Sequence, residues 1–426
     1  MKVVVTGMGV VCSIAGSVPE FAVALREGRC GIGPVPGDGD GGPRLAATVK
    51  GFSFAGAVAA LTCLPEELRQ GAARAAHRSP EALQMDLVSA MQAFGHAGLH
   101  ENAPPADRMG LVVAGHNLSS GYVHDMVPKY QDHPEYLPAS FAIQYMDTDR
   151  VGRLSQVLGI KGEGYTVGGA SASGNVGIVN GSRLVEAGAV DLCLVVGATT
   201  DLSPMEKRGF ATLGAVAGAG TDEPERVRCR PFDERHEGFV PGQGSACVVL
   251  ESEASARARG AEVLAELAGY DLKLDANSLP DPNEDGEAKV MTGAMEMAGV
   301  EPGQIDYVNA HATATPLGDE IEVRALGRVF GPDIGKPWVN STKGLVGHCM
   351  CAAGVVEAVA SIIQLRDGFV HPNLNLRRPI DDGCRFVRGA AQPADIQYAL
   401  SNSFGFGGFN TSIVLRRPSH APGTHG

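Results

Sequence analysis

Positive charge and long apolar segments are both scarce in this chain of 426 residues. Its 35 Lys and Arg residues are outnumbered by 48 Asp and Glu residues, so the formal net charge is -13. Because nucleic acids and anionic membranes bind basic surfaces, this composition argues against both as partners. No apolar run is long enough to span a bilayer. The apolar stretch at 1–15 carries a single Lys and predicts a buried strand and its turn rather than a secretion signal.

Paired cysteines are missing as well. The nine cysteines are odd in number and lie mostly within apolar runs, which is typical of reduced core residues in a cytoplasmic protein. Cys349 and Cys351 are too close together, and have too few partner ligands, to predict a zinc site. We therefore expect a cytoplasmic protein without a bound metal.

Glycine, in contrast, is abundant, and its 57 residues are spread among apolar segments that predict strands and helices. Predicted strands alternate with helical patterns, which is typical of an α/β protein with mostly parallel strands covered on both faces. The run at 109–115 predicts a central strand and the pattern at 81–99 predicts a helix. The segment 116–149 is polar, aromatic and irregular, and predicts an insertion over a pocket or at a subunit interface.

The most informative local pattern lies at 165–186. An apolar approach is followed by Gly168-Gly-Ala-Ser-Ala-Ser-Gly-Asn175 and then by apolar residues at roughly helical spacing. A strand, a sharp turn and a helix in this order expose one side chain at the helix N-terminus, where backbone N–H groups favour negative charge. We place Ser171 at that position. Taken alone, the segment also fits a Gly/Ser-rich turn before a buried helix.

Three later segments carry polar or glycine-rich patterns after predicted strands. His311 follows one such strand, and Lys343 and His348 follow another. The third segment, at 401–410, has glycines packed around aromatic residues. Because α/β sheets bind ligands at the carboxyl ends of their strands, the two histidines are candidates for one site. Each segment by itself also fits a structural loop or a strand bulge.

Taken together, the four segments resemble the β-ketoacyl synthases, the condensing enzymes of fatty-acid and polyketide assembly. The resemblance extends over nearly the whole chain. It begins at Val5-Thr-Gly-Met-Gly-Val-Val, includes Pro231-Phe-Asp-Glu-Arg-His-Glu-Gly-Phe-Val, and ends with Asn402-Ser-Phe-Gly-Phe-Gly-Gly.

The resemblance implies a thiolase-like, five-layer αβαβα fold built from two similar α/β halves. The halves are predicted at 1–252 and 253–416, and 417–426 is predicted to be a disordered tail. The resemblance further implies a homodimer. It also implies a substrate that is carried on the phosphopantetheine of an acyl carrier protein, with no cofactor bound to the enzyme itself.

The resemblance also assigns roles to individual residues. His311 and His348 correspond to the two catalytic histidines of the family, Lys343 to its lysine, and Glu357 to the acidic partner of that lysine. Ser171 stands at the position of the catalytic nucleophile.

Three further residues match binding positions of the family. Thr313 and Thr315 stand where the pantetheine-binding threonines lie, and Phe406 matches the phenylalanine that gates the site beside the oxyanion position.

The nucleophile position departs from the family pattern, because Ser171 stands where the family has cysteine. A cysteine thiol has a pKa near ~8.5 and supplies its own thiolate, whereas an alcohol needs a strong general base to attack a thioester. We therefore expect acyl loading and chain transfer to be slow or absent. Decarboxylation of a malonyl thioester needs no nucleophile, only donors for the oxygen that gains charge as the enolate forms.

A subgroup of stand-alone synthase-like proteins with Ser at this position serves the β-branching cassettes of polyketide pathways, and the 168–175 segment resembles it. The sequence therefore predicts decarboxylation of malonyl-acyl carrier protein to acetyl-acyl carrier protein. Three alternatives stay open at this point. The protein is a synthase or acyltransferase that uses Ser171, a non-catalytic partner subunit like a chain-length factor, or a variant in which serine was introduced for cysteine.

Two more departures place bulk near the predicted site. Cys351 replaces a usual glycine and Phe409 a usual threonine, which either shortens the acyl pocket or only repacks the core. Basic residues form a candidate docking surface for the acidic carrier, or are scattered solubilising charges. They are Arg69, Arg74, Arg78, Lys207 and Arg208.

Overall fold

The fold is described from a computed structural model that covers residues 1–35, 44–218, 228–277 and 280–418. The tail predicted at 417–426 lies outside the described residues from position 419 onward. None of the described helices is long and apolar enough to cross a membrane.

Within the described part of the first half, strands and helices alternate. The strands are β1 (Val3–Cys12), β2 (Gly33–Pro34), β3 (Leu45–Ala46), β4 (Met109–Ala114), β5 (Gly164–Val167), β6 (Leu192–Gly197) and β7 (Gly244–Ser252). The helices are α1 (Val18–Glu27), α2 (Phe54–Ala60), α3 (Glu66–Ala76), α4 (Glu81–His96), α5 (Ser120–Asp132), α6 (Phe141–Gln144), α7 (Thr148–Leu158), α8 (Ser173–Glu186) and α9 (Pro204–Thr212).

The second half repeats this alternation. Its strands are β8 (Ala265–Leu274), β9 (Tyr307–Asn309), β10 (Trp338–Asn340), β11 (Phe369–Val370), β12 (Arg385–Phe386), β13 (Gln392–Pro393), β14 (Tyr398–Gly405) and β15 (Phe409–Arg416). Its helices are α10 (Glu253–Ala258), α11 (Glu284–Ala298), α12 (Pro316–Phe330), α13 (Lys343–Val346) and α14 (Ala353–Asp367). The boundary predicted between residues 252 and 253 falls where β7 ends and α10 begins.

The two halves share one sheet topology. The first half has the strand order β1-β7-β6-β4-β5, and the second has β8-β15-β14-β9-β10 with β12 as an additional edge strand. In each half the first two neighbouring pairs are antiparallel and the next two are parallel. The halves meet where three residues of β1 pair with β8. A chain without visible sequence repeats is therefore a structural duplication.

Five layers follow from how the helices cover these strands. Helix α4 packs on the outer face of the first half and α11 on the outer face of the second. Helices α8 and α14 lie between the two halves and contact strands of both. The layering and the repeated topology confirm the predicted αβαβα fold of two similar halves.

The central strands are buried on both faces, which explains their unbroken apolar runs. Val112 of β4 and Val195 of β6 face the layer that holds α8 and α14. Their neighbours Val113 and Leu194 face the layer that holds α4. Because successive side chains of a strand alternate between faces, each sheet half joins two hydrophobic cores.

Two predictions need correction. The sheet is mixed rather than mostly parallel, because β7 and β15 each run antiparallel to both of their neighbours. The segment 116–149 is largely helical rather than irregular. Helix α5 forms there although Pro128 lies inside it, and α6 and the start of α7 follow.

Substitution of Gly174 tests the contact between the two central helices. A Cβ atom at this position would lie 2.7 Å from the Gly354 Cα atom of α14. We expect Gly174→Ala to lower the free energy of unfolding by about 1–3 kcal/mol through overpacking. Gly71→Ala is the matched control, because no atom lies within 4 Å of the new Cβ in helix α3. It should raise stability by about 0.5–1 kcal/mol. Thermal melting of both variants measures the difference, and a Gly174→Ala variant that melts with the wild type would contradict the tight helix contact.

Candidate active site

Ser171 lies in the turn between β5 and α8, as the local pattern predicts. A short 3-10 turn, Ala170–Ala172, joins the strand to the helix, and Ala170 adopts a left-handed conformation with a φ of 49°. The Ser173 hydroxyl stabilises this turn, because it accepts the Gly169 N–H at 2.9 Å and donates to the Ala170 carbonyl at 2.7 Å. The Ser171 side chain is thereby presented at the N-terminal end of α8.

Glycines let a second segment approach this turn closely. A Cβ atom at Gly405, at the end of β14, would lie 2.3 Å from the Gly169 carbonyl oxygen. Only glycine therefore fits there, and the next residue, Phe406, is held beside the turn. The Phe406 side chain is 41% exposed and lines the cavity described below, so it can move without disturbing the core.

His348 contacts Ser171 directly, since its Nε2 atom lies 2.8 Å from the Ser171 Oγ atom. The other ring nitrogen, Nδ1, receives the backbone N–H of Met350 at 3.3 Å. A backbone N–H can only donate, so Nδ1 is the unprotonated nitrogen of a neutral imidazole. The proton of His348 is on Nε2. The ring therefore donates to the serine oxygen and does not accept its proton.

His311 is held in a similar state. Its Nδ1 atom lies 3.3 Å from the Lys343 Nζ atom, and an ammonium group has only donors to offer. The ring proton of His311 is therefore on Nε2 as well. The His311 and His348 rings are 5.7 Å apart between centroids and nearly perpendicular. The site thus contains two imidazoles with one N–H donor each.

Both imidazoles are neutral at physiological pH. Burial lowers the pKa of His348 well below its ordinary value, and the positive charge of Lys343 adds to this effect. Burial, Lys343 and His348 together lower the pKa of His311 well below its ordinary value. A proton on either ring would be desolvated and would face a cation, which is why the neutral forms persist.

Lys343 forms a buried ion pair with Glu357. The lysine Nζ atom donates to the Glu357 Oε1 atom, and the two side chains are only 1% and 2% exposed. Burial raises the pKa of Glu357 to about 7, against the opposing effect of the Lys343 ammonium. Because Glu357 lies on α14 and Lys343 on α13, the pair fixes the lysine beside His311.

A cavity of about 580 Å³ connects these groups to the surface. Ser171, His311 and His348 line it, and Thr313 and Thr315 line it as well, with their hydroxyl oxygens 2.9 Å apart. All of the predicted site residues except Lys343 and Glu357 thus share one cavity, and those two lie behind His311. Their catalytic and binding roles stay predictions.

Two residues next to the site were not predicted from the sequence. The His116 Nε2 atom accepts the Ala170 N–H at 3.3 Å, and its ring packs on Gly168. Glu322 of α12 accepts the backbone N–H groups of His311 at 2.9 Å and of Ala312 at 2.7 Å. Both support the backbone that carries a predicted site residue. Among the described residues, no group of three His, Cys, Asp or Glu side chains is arranged to hold a metal ion.

Of the bulky and basic residues that were predicted near the site, only some lie at the cavity. Cys351 lines the cavity, whereas Phe409 packs against Gly169. Helix α9, which carries Lys207 and Arg208, contributes Glu206 and Phe210 to the cavity wall. The predicted arginines of α3 and of the segment after it are absent from the cavity lining over the described ranges. They are Arg69, Arg74 and Arg78.

Comparison with known families is consistent with this geometry. Residues 1–256 match the family model of the β-ketoacyl synthase N-terminal domain, and residues 264–377 match that of the C-terminal domain. The chain belongs to the β-ketoacyl synthase family. The predicted family is thereby confirmed, and with it the thiolase-like assignment of the fold.

Individual relatives of this β-ketoacyl synthase family member have different activities. The chain is 36% identical to the polyketide biosynthesis malonyl-ACP decarboxylase PksF of Bacillus subtilis, over 97% of this chain and 96% of that protein. It is 32% identical to the 3-oxoacyl-[acyl-carrier-protein] synthase 2 of Coxiella burnetii, over 98% of both proteins. A solved type II polyketide ketosynthase, bound to its acyl carrier protein, matches with a TM-score of 0.83 and 25% identity, over 98% of this chain and 99% of that one.

The lowered histidine pKa values predict how stability depends on pH. An unfolded histidine titrates near ~6.5, so below this pH the unfolded state binds protons that folded His348 does not. Stability should therefore be present above about pH 6.5 and be lost as the pH falls, by up to about 1.4 kcal/mol per pH unit for each such histidine. We expect His348→Asn to make the decline of the melting temperature between pH 6.5 and pH 5 shallower. The exposed His124→Asn is the control and should retain the wild-type slope. An unchanged slope in His348→Asn would contradict a buried neutral imidazole.

Proposed function

We propose that this protein decarboxylates malonyl-acyl carrier protein to acetyl-acyl carrier protein in polyketide biosynthesis. The observation that carries the proposal is the direction of the hydrogen bond between His348 and Ser171. The Met350 N–H donates to Nδ1 of His348, which places the ring proton on Nε2. The Nε2–H group therefore donates to the serine oxygen. A serine whose partner donates is not activated as a nucleophile.

The same donor suits an enolate. When the malonyl carboxylate leaves, the electrons of the broken Cα–C bond move into the thioester, whose oxygen gains negative charge. The Nε2–H groups of His311 and His348 are the donors available to that oxygen in the cavity. Their hydrogen bonds strengthen as the charge grows, so they stabilise the transition state more than the ground state.

Lys343 and Glu357 lie outside the cavity lining and act on the substrate through His311. The ammonium group of Lys343 keeps His311 neutral and its proton on Nε2, and Glu357 compensates the lysine charge in a buried setting. A lysine without its carboxylate would leave an uncompensated buried charge, which is strongly unfavourable. The pair is thus a positioning device for the donor, and no bond of the substrate is made or broken on it.

The substrate carrier and the pathway rest on the relatives. The 36% identical protein is named as a malonyl-ACP decarboxylase of polyketide biosynthesis, and a similar ketosynthase structure contains its acyl carrier protein. Thr313, Thr315 and Phe406 line the cavity where a phosphopantetheine arm would enter, with Glu206 and Phe210 of α9 at the wall. We place the enzyme in a β-branching cassette because its serine segment resembles that subgroup.

A homodimer is the proposed assembly. Strand β5 lies at the edge of the sheet and pairs only with β4 among the described strands. An unprotected edge strand readily pairs with another chain. Exposed apolar side chains accumulate on the segment from α5 to the residues just after α6. They are Val127, Tyr130, Tyr136, Ile143, Tyr145 and Met146.

A condensing or acyl-transfer enzyme is the second candidate. It is favoured by the 32% identity to 3-oxoacyl-[acyl-carrier-protein] synthases and by the 2.8 Å contact between Ser171 and an imidazole. For this function His348 would have to accept the serine proton on Nε2. The Met350 N–H would then face a protonated Nδ1, and its hydrogen bond would be lost.

Alanine substitutions separate the donors from the serine. His311→Ala and His348→Ala should each lower the rate of CO2 release from malonyl-carrier protein by at least about 10²-fold, because each removes one donor to the enolate oxygen. Ser171→Ala should retain a good part of the activity. Intact-mass spectrometry of the carrier follows malonyl and acetyl forms, and the exposed His124→Ala is the control. If folded Ser171→Ala is inactive, the hydroxyl has a catalytic role and the proposal is wrong in this respect.

Replacement of the serine by cysteine tests the second candidate. Ser171→Cys restores a thiol at the N-terminal end of α8, where a thiolate is favoured, so the variant should acylate itself from an acyl-carrier protein. The wild type should acquire no stable acyl group under the same conditions. Mass spectrometry of the protein itself measures both. An acyl adduct on wild-type Ser171 that forms as fast as the adduct of S171C would favour the condensing enzyme.

A further inference from the structure

Glu287 is an acidic residue of the active-site cavity to which the proposed function gives no role. Glu287 is in the first turn of α11, is only 1% exposed, and lines the same cavity as His311 and Ser171. Its Oε2 atom has no hydrogen-bond partner. A buried carboxyl oxygen without a partner is costly, and such groups are concentrated at functional sites.

The neighbours of Glu287 determine where its proton is. Glu322 and Asp319 act on it from α12, Asp275 acts on it from the residue just after β8, and Glu284 lies on its own helix. Burial and these four negative groups raise the pKa of Glu287 well above its ordinary value. The two basic residues of α12 pair elsewhere, Arg324 with Glu320 and Arg328 with the exposed Asp285.

Glu322 and Glu287 differ in the donors that they receive. Burial raises the pKa of Glu322 to about 7, while the N–H groups of His311 and Ala312 and the side-chain amide of Asn402 donate to it and favour its ionised form. Glu287 receives no donor on Oε2, and the neighbouring carboxyl groups add to the effect of burial on its pKa. Of the two, Glu287 is therefore the carboxyl group that better retains its proton.

The proposed reaction needs a proton that the other site residues do not supply. The Nε2–H groups of His311 and His348 are used as donors to the enolate oxygen, and both rings are neutral with no second proton. The Ser171 oxygen accepts the His348 hydrogen bond before substrate binds, and its own O–H is an alcohol, a far weaker acid than a carboxyl group. The enolate carbon must nevertheless gain one proton to become the methyl group of an acetyl thioester.

We propose that Glu287 is the acid that supplies this proton. The inference rests on the decarboxylase function proposed above. The Cα–C bond breaks and CO2 leaves with the electrons going to the enolate. The enolate then forms a new C–H bond with the Glu287 proton, relayed through cavity water, and the Glu287 carboxylate regains a proton from solvent through the open end of the cavity. One proton is consumed for each CO2 released, so the step balances.

Glu287→Gln removes the acid while preserving the shape of the side chain. We expect acetyl-carrier formation to fall by about 10²-fold or more, as is typical of the loss of a general acid, with little change in KM. Glu296→Gln is the matched control, because Glu296 lies on the same helix but is exposed. It should be within about twofold of the wild type. Equal activity of Glu287→Gln and Glu296→Gln would overturn the assignment.

The pH profile adds a readout that a purely structural role would not change. Only protonated Glu287 donates, so wild-type activity should decline as the pH rises through the elevated pKa of this carboxyl group. Glu287→Gln should lack that decline, and Glu287→Asp, which keeps an acid, should retain it at a lower rate. If Glu287→Gln fails to fold, the rate of Glu287→Asp decides, since a rate equal to that of the wild type would overturn the proposal.

Hydrogen exchange separates this inference from the proposed function. In D2O the wild type should exchange the methyl hydrogens of acetyl-carrier protein, because enolisation is the reverse of the protonation step, and Glu287→Gln should not. If the wild type decarboxylates and Glu287→Gln decarboxylates and exchanges equally fast, Glu287 is not the acid, although the proposed function still holds. A wild type that neither decarboxylates nor exchanges would overturn both.

Discussion

The hydrogen bond from the Met350 backbone to Nδ1 of His348 determines what the site can do. It fixes the ring proton on Nε2, and the buried, neutral imidazole then donates to the Ser171 oxygen. If the proton were on Nδ1 instead, the unprotonated Nε2 atom would accept the Ser171 proton and activate the serine as a nucleophile. One backbone N–H therefore determines whether His348 donates to an enolate oxygen or acts as the general base for a serine nucleophile.

The duplicated fold explains why this backbone group is in place. Helices α8 and α14 follow β5 and β10 in the two halves, and each begins with a 3-10 turn whose first residue has a positive φ, 49° at Ala170 and 50° at Met350. The helices contact each other at Gly174 and Gly354. Ser171 thus comes from the turn of one half, and the N–H that orients its partner comes from the equivalent turn of the other. The site exists only where the halves meet.

The sequence predicted the parts of the site that local patterns encode. Ser171 follows from a strand, a turn and a helix in succession, and His311, Lys343 and His348 follow from polar residues after strands. Glu287 escaped notice because an acidic residue in the first helical turn is ordinary by itself. The pKa of Glu287 depends in part on Glu322, which lies on another helix and is 35 positions further along the chain. Helix α5 was mispredicted because Pro128 lies inside it and tertiary packing outweighs the local propensity.

The position of the His348 proton can be measured directly. Nitrogen-15 and proton correlation spectra of protein labelled in its histidines distinguish the two neutral ring forms, and the His348→Asn variant identifies the signal. We expect a neutral His348 with its proton on Nε2 across physiological pH, unchanged in Ser171→Ala. A proton on Nδ1, with an unprotonated Nε2 facing the serine, would contradict it and make Ser171 a nucleophile.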